Sequence, residues 1–168
     1  MRLAPHTNPT SKEPPGPSLT FLYTSYVDCL NGIYGTQGPR GIRTAIPIVG
    51  GNFTGPRLSG KILDVGADWG VTDVQTGIFS ADTRYNLQTY DGANLFSQTS
   101  GPSQPKGGLH LRVVIETGDK NYYWLNNIIG TADCMLYAHT ADISERLVFL
   151  ALSGPVIPGS PCVLMFGM

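Results

Sequence analysis

Charge is scarce in this chain and nowhere gathered into blocks. Eleven Lys and Arg stand against twelve Asp and Glu, 14% of 168 residues, for a formal net charge of −1. With no basic stripe, nucleic acid is not an expected partner. No apolar run reaches the roughly 18–20 residues of a membrane-spanning helix, so a membrane is not expected either. The first stretch, MRLAPHTNPTSKEPPGPS, lacks the apolar core of a secretion signal. Cysteine is sparse too: Cys29, Cys134 and Cys162 are odd in number, widely spaced and match no zinc or disulfide pattern. They read as small buried hydrophobes in a reducing compartment, which makes a cytoplasmic setting the expectation. In that setting the sequon Asn52-Phe53-Thr54 is a chance match. His6, His110 and His139 are isolated from one another, so no metal is expected. Glycine-rich phosphate loops, His-Glu-x-x-His and Gly-x-Ser-x-Gly are all missing, and no cofactor is expected. Finally, no segment carries an apolar stripe over three helical turns.

What is present is a series of short runs rich in β-branched and aromatic residues: LTFLYTSYVD, IRTAIPIVG, GPRLSGKILDV, SADTRYNLQTY, ANLFSQT, GLHLRVVIET, IIGTADCMLYAH and ERLVFLALS. Gly, Pro, Asn or Asp punctuates most of them, and Tyr90-Asp91-Gly92-Ala93 has the Asp-Gly pair of a tight hairpin. This spacing predicts an all-β fold, either an antiparallel barrel or a sandwich. Two segments alternate cleanly. Asp82, Arg84, Asn86 and Gln88 share one face against Thr83, Tyr85, Leu87 and Thr89, and Leu109, Leu111, Val113 and Ile115 oppose His110, Arg112, Val114 and Glu116. Such faces fit a solvated sandwich, and they fit a barrel with a polar lumen. The barrel is preferred: an antiparallel, lipocalin-like barrel of about eight to ten strands with a central cavity for one small ligand. Arg84 and Glu116 are then expected to point into the same lumen.

The two ends differ from the middle. Residues 1–18 form a Pro-rich N-terminal arm, 19–152 the barrel domain and 153–168 an apolar C-terminal tail. Val163 to Phe166 are too apolar to leave in water, so the tail is expected to cover a barrel mouth or to join a homo-oligomer.

The segment Lys61 to Gly70, KILDVGADWG, poses the chemical question. It begins as a half-buried strand and then places a carboxylate beside an indole, although Asp and Gly both disfavour strands. One reading is a turn in which Asp68 caps backbone donors and Trp69 fills the core. The other is a carboxyl group held in an apolar pocket, where burial raises its pKa and makes its proton available.

Three ordered blocks carry a resemblance. IPIVGGNFTGPRLSGKILDVGADW, ADTRYNLQTYDGA and IETGDKNYYWLNNIIG are similar to the signature blocks of the domain of unknown function 3237 family. Its pattern runs Gly-Gly-x-x-x-Gly-Pro-x-Leu-x-Gly into Gly-Ala-Asp-Trp, then Asp-x-Arg-Tyr and Asp-Gly, then Glu-Thr-Gly and Tyr-x-Trp-Leu-Asn. Val65-Gly66 departs from a frequent Gly-Gly. The resemblance spans about Leu19 to Leu152 and implies a small antiparallel β-barrel. It also implies, for some fungal members, a cofactor-free cyclase of polyketide or meroterpenoid biosynthesis that adds a hydroxyl to a prenyl alkene.

That chemistry needs a proton donor for carbon, stabilisation of a tertiary cation and an acceptor for the hydroxyl proton. The family blocks offer Asp68, Arg84, Glu116 and Asp82 as the catalytic set. Trp69, Trp124, Tyr123, Asn126 and Lys61 are the substrate-binding set, for an aromatic polyketide or prenylated substrate. Plainer roles compete: Arg84 with Asp82 or Glu116 as a cross-strand ion pair, the tryptophans as core, Tyr123 and Asn126 as partners of backbone groups in a bend, Lys61 as solvated. Adjacent side chains of a strand face opposite ways, so Asp68 and Trp69 meet in one pocket only if the glycines bend the chain or Trp124 supplies the ring. A lipocalin-like binding protein without catalysis and an oligomeric scaffold are the alternatives.

Overall fold

A computed structural model describes the backbone of residues 18–138 and 143–152 and the side chains of residues 18–135. The expected arm, the C-terminal tail, Cys162 and His139 lie outside the described residues. Ten strands follow in order: β1 (Leu19–Cys29), β2 (Tyr34–Gly38), β3 (Gly41–Thr54), β4 (Ser59–Asp68), β5 (Val71–Thr72), β6 (Phe79–Thr89), β7 (Asn94–Pro102), β8 (Leu109–Glu116), β9 (Ile129–Ala138) and β10 (Ile143–Leu152). The one helical element among the described residues is a 3₁₀ turn, Tyr123–Asn127.

Eight of these strands close a barrel in the order β1-β10-β9-β8-β7-β6-β4-β3, with β3 returning to β1. Every pairing is antiparallel. These are the eight segments read from the sequence. The two that escaped it are β2, five exposed residues paired only with the start of β3, and the two-residue β5, which bridges β3 and β6. Neither has the apolar alternation that marks a barrel strand. The hairpin after β6 turns through Gly92 at φ +95°, and no non-glycine residue among those described has positive φ. The Gly92 amide donates to the Thr89 carbonyl at 3.0 Å, so this is a three-residue loop with one left-handed glycine.

The alternation expected from the sequence is present, with the apolar faces inside the barrel and the polar faces outside. Thr83, Tyr85, Leu87 and Thr89 point inward and are buried, as do Leu109, Leu111, Val113 and Ile115. Asp82, Arg84 and Glu116 lie on the outer face, so Arg84 and Glu116 do not share a lumen. The reason is volume. An eight-stranded barrel is just wide enough for its own side chains, and Tyr23, Phe53, Tyr85, Leu87 and Leu95 occupy the interior at 2% exposure or less. Tyr23 and Phe53 pack with ring centroids 5.3 Å apart. Among the described residues the interior retains a cavity of ≈ 10 Å³ beside Val27, Thr83, Tyr85, Thr99 and Leu111. That is room for about one water molecule. Cys29 and Cys134 are buried within the same core.

Two irregularities shape the approach to Asp68. The β3–β4 ladder breaks between Pro47 and Asn52, and the β4–β6 ladder breaks between Ile62 and Gly66. Leu63, Asp64 and Val65 on β4 thus face the single residue Asn86 on β6, a bulge that bends the strand. The chain rejoins β6 at Gly66, where φ is +150° and a Cβ would lie 2.6 Å from the Arg84 carbonyl oxygen. Only glycine fits that close approach.

Candidate functional site at the β4 rim

Asp68 ends β4, paired with Ile46 on β3 and Thr83 on β6, so its side chain shares their inward side. It is 3% exposed, and Asp68 Oδ1 accepts the backbone N–H of Asp82 at 2.8 Å. The carboxylate extends the β4–β6 ladder by standing in for a backbone carbonyl. Phe79 is near: a Cβ on Gly70 would lie 2.2 Å from the Phe79 ring and 3.3 Å from Asp68 Oδ1, so ring and carboxyl both border that glycine. Burial raises the Asp68 pKa from 3.8 to about 6. The neighbouring Asp82 charge adds to the rise, while the Asp82 amide and the Arg43 charge oppose it.

Both sequence readings of Asp68 therefore hold in part. It caps a backbone donor, and burial raises its pKa so that a large share of it keeps its proton up to about pH 6. The tryptophan assignment is corrected: Trp69 turns outward at 48% exposure and forms no wall beside the carboxyl. Strand geometry sends neighbours to opposite faces, and the bend at Gly66 lies before both residues.

The outer side of the same rim holds a charge cluster. Arg84 Nη1 donates to Asp82 Oδ1 at 2.9 Å, and Arg43 Nη1 lies 3.8 Å from Asp82 Oδ2. Arg43 also donates to the Trp69 carbonyl, which fixes the turn after β4. Arg43 was not among the sequence candidates. The one available signal was a lone cation in an otherwise uncharged strand, GIRTAIPIVGG. Asp82 and Arg84, expected as catalytic residues, form the anticipated ion pair instead of lining a lumen. With the Arg84 side chain 45% exposed, such a pair contributes little to stability.

The remaining candidates gather elsewhere. β4 runs from Ser59 to Asp68, roughly 20–30 Å at ~3.3 Å per residue. Lys61, Tyr123, Trp124 and Asn126 belong with its Ser59 end. Trp124 packs against the core with the Arg57 guanidinium 3.6 Å above its ring. Asn126 accepts the Thr117 amide at 3.0 Å and donates to the Thr117 and Tyr123 carbonyls at 2.9 and 2.8 Å, holding the 3₁₀ turn onto β8. Tyr123 and Lys61 are exposed. Glu116 lines an open groove of ≈ 430 Å³ with Asn86, Phe96 and Asn126. The sequence candidates thus separate into an Asp68 rim (Asp68, Trp69, Asp82, Arg84) and a second cluster around Glu116 and the 3₁₀ turn.

A raised carboxyl pKa has a stability consequence with a definite sign. Between about pH 4 and 6 the folded state holds the Asp68 proton more tightly than the unfolded chain does. Stability is therefore lost as pH rises through that window, by roughly 3 kcal/mol at most for a shift of about two units. The difference in melting temperature between wild type and Asp68→Asn should change in favour of the variant from pH 4 to pH 7. A difference that stays constant over that range would mean the carboxyl is solvated.

The architecture is a closed antiparallel barrel with a buried acid at one rim, a class defined by shape and not yet by activity. Residues 17–110 match the family described as "Protein of unknown function (DUF3237)", and the chain belongs to that family. The match takes in the first two sequence blocks; the third lies beyond it. A UPF0311 protein of Bradyrhizobium diazoefficiens is 30% identical over 152 residues, 79% of this chain and 98% of the relative. The hydroalkoxylation enzyme phnH of Penicillium herquei is 29% identical over 119 residues, 68% of this chain and 72% of that enzyme. Among solved structures, a beta-barrel-like protein from Acinetobacter baumannii superposes with a TM-score of 0.69 at 31% identity, covering 83% of this chain and 99% of the other.

Proposed function

We propose that the chain is a cofactor-independent cyclase that closes an oxygen heterocycle by adding a hydroxyl across a prenyl alkene of an aromatic substrate. The observation that carries this reading is Asp68, a carboxyl group buried at the barrel rim with its pKa raised to about 6. The relationship to a hydroalkoxylation enzyme supports the reaction class. In the step itself the Asp68 proton passes to the less substituted alkene carbon, leaving a tertiary cation. The substrate hydroxyl oxygen forms the new C–O bond, and its proton returns to the carboxylate. The product is an isomer of the substrate, so the balance needs no oxidant, reductant or second substrate. The Phe79 ring beside the carboxyl takes the role of the cation-facing aromatic, since Trp69 points outward. Arg84 and Arg43 orient an acidic oxygen of the substrate from the outer side of the rim.

Ring closure in D₂O tests the reaction directly. An acid-catalysed addition places one non-exchanging deuteron on carbon and gives a cyclic ether detectable by mass and NMR. A protein that only binds returns the substrate unlabelled. That second reading, a small-molecule binding protein, draws on the open groove at Glu116, Asn86 and Phe96, which holds no buried acid.

A further inference from the structure

We propose that the outer side of the Asp68 rim is a carboxylate-recognition site, in which an aromatic carboxylate takes the place of the Asp82 side chain between Arg43 and Arg84. The inference deepens the small-molecule reading above and rests on it for its biological meaning, although the binding it predicts needs no turnover.

The first argument is charge. Two guanidinium groups share one carboxylate, and the sharing is uneven: Arg84 is hydrogen-bonded at 2.9 Å, while Arg43 stands 3.8 Å away. Among the described residues no other carboxylate lies within ion-pair distance of either arginine, although the Arg43 charge also reaches the buried Asp68 carboxyl. Arg43 spends a donor on the Trp69 carbonyl, which leaves the rest of its five N–H groups available in a fixed orientation. A guanidinium fork held in place in this way suits a planar carboxylate.

The second argument is the floor beside the arginines. The register sets Pro47 on β3, Ala67 on β4 and Arg84 on β6 side by side on the outer face. Trp69 follows two residues after Ala67, and its amide donates to the Asp82 carbonyl at 3.0 Å. A small apolar surface, Pro47 and Ala67, is thus bordered by Arg84 across the sheet and by the exposed indole further along the chain, where Arg43 holds the Trp69 carbonyl. An aromatic ring laid there covers Pro47 and Ala67, stacks against Trp69 and directs its carboxylate to the arginines. The ligand then lies over the last rung of β4, whose inner side carries Asp68. Asp82 acts as an internal occupant that a ligand carboxylate must displace.

Protein-observed NMR with benzoate as the probe, and neutral benzamide as its control, tests this. Benzoate should shift the Trp69 indole N–H and the Arg43 and Arg84 side-chain N–H signals in a saturable manner, while benzamide does not. Asp82→Asn, which removes the competing carboxylate and keeps the size, should tighten benzoate about tenfold. The double substitution Arg43→Gln with Arg84→Gln should weaken it about tenfold or more, the scale of lost charged hydrogen bonds. Equal responses to benzoate and benzamide, weaker binding by Asp82→Asn, or wild-type affinity in the double variant would each overturn the proposal. Because that titration involves no turnover, a failure of Asp68 as the acid leaves its result intact, and the two ideas fall separately.

Discussion

Asp68→Asn should reduce single-turnover ring closure by about 10²–10⁴-fold, the range general acid catalysis supplies, while substrate binding and the fold persist. The substitution keeps the side chain's shape and keeps an oxygen to accept the Asp82 amide, now made at 2.8 Å. What it removes is the proton. It also removes the cost of a buried charge, so at pH 7 the variant should melt at or above the wild-type temperature. Asp68→Ala separates the two roles: it loses the capping acceptor as well, which costs about 1 kcal/mol at such positions. Near wild-type turnover by Asp68→Asn would transfer the acid to Asp82 or Glu116. Neither has the environment for it, since Asp82 is held between two cations and Glu116 faces solvent on the outside of the barrel. Lost activity together with a collapsed melt would mean that the turn after β4 had failed.

Phe53→Ala should be the most damaging single change to the described barrel, lowering stability by about 3–5 kcal/mol. Phe53 has no exposed surface, sits where β3 is paired with β1 on one side and β4 on the other, and packs on Tyr23. Its neighbours are strands closed into a ring, so they cannot collapse into the space left behind. Urea denaturation measures the loss, with Glu116→Ala as the control. That outward residue should change stability by no more than about 0.5 kcal/mol. A loss below 1 kcal/mol for Phe53→Ala would mean that the interior is less tightly filled than the side-chain packing indicates.

The eight barrel strands were legible because each buries one face, and period-two alternation survives in the sequence wherever one face is buried. β2 and β5 were not, because β2 is exposed along its whole length and β5 spans two residues. Alternation identifies two faces and does not say which is the inside. That depends on which side chains the volume enclosed by eight strands takes up, Tyr23, Tyr85 and Leu87 among them. The polar row Asp82, Arg84, Asn86 and Gln88 was thus assigned to a lumen it does not line. Asp68 stood out from its local context, a carboxylate ending an apolar strand among glycines. Its partners did not: Arg43 and Phe79 reach the rim through pairings of β3, β5 and β6 that leave no mark in the spacing of residues. The 3₁₀ turn and Asn126 belong to a third sequence block that looked like part of one site, and the barrel's length separates them from it.

The pH dependence of the single-turnover rate, measured from pH 4.5 to 8 on wild type and Asp68→Asn, tests the central claim most directly. An acid with a pKa of about 6 predicts a rate that is constant below that value and falls about tenfold per pH unit above it. The residual rate of the variant should show no such inflection. A wild-type profile that stays flat through pH 6, or one that the variant reproduces, would contradict Asp68 as the proton donor.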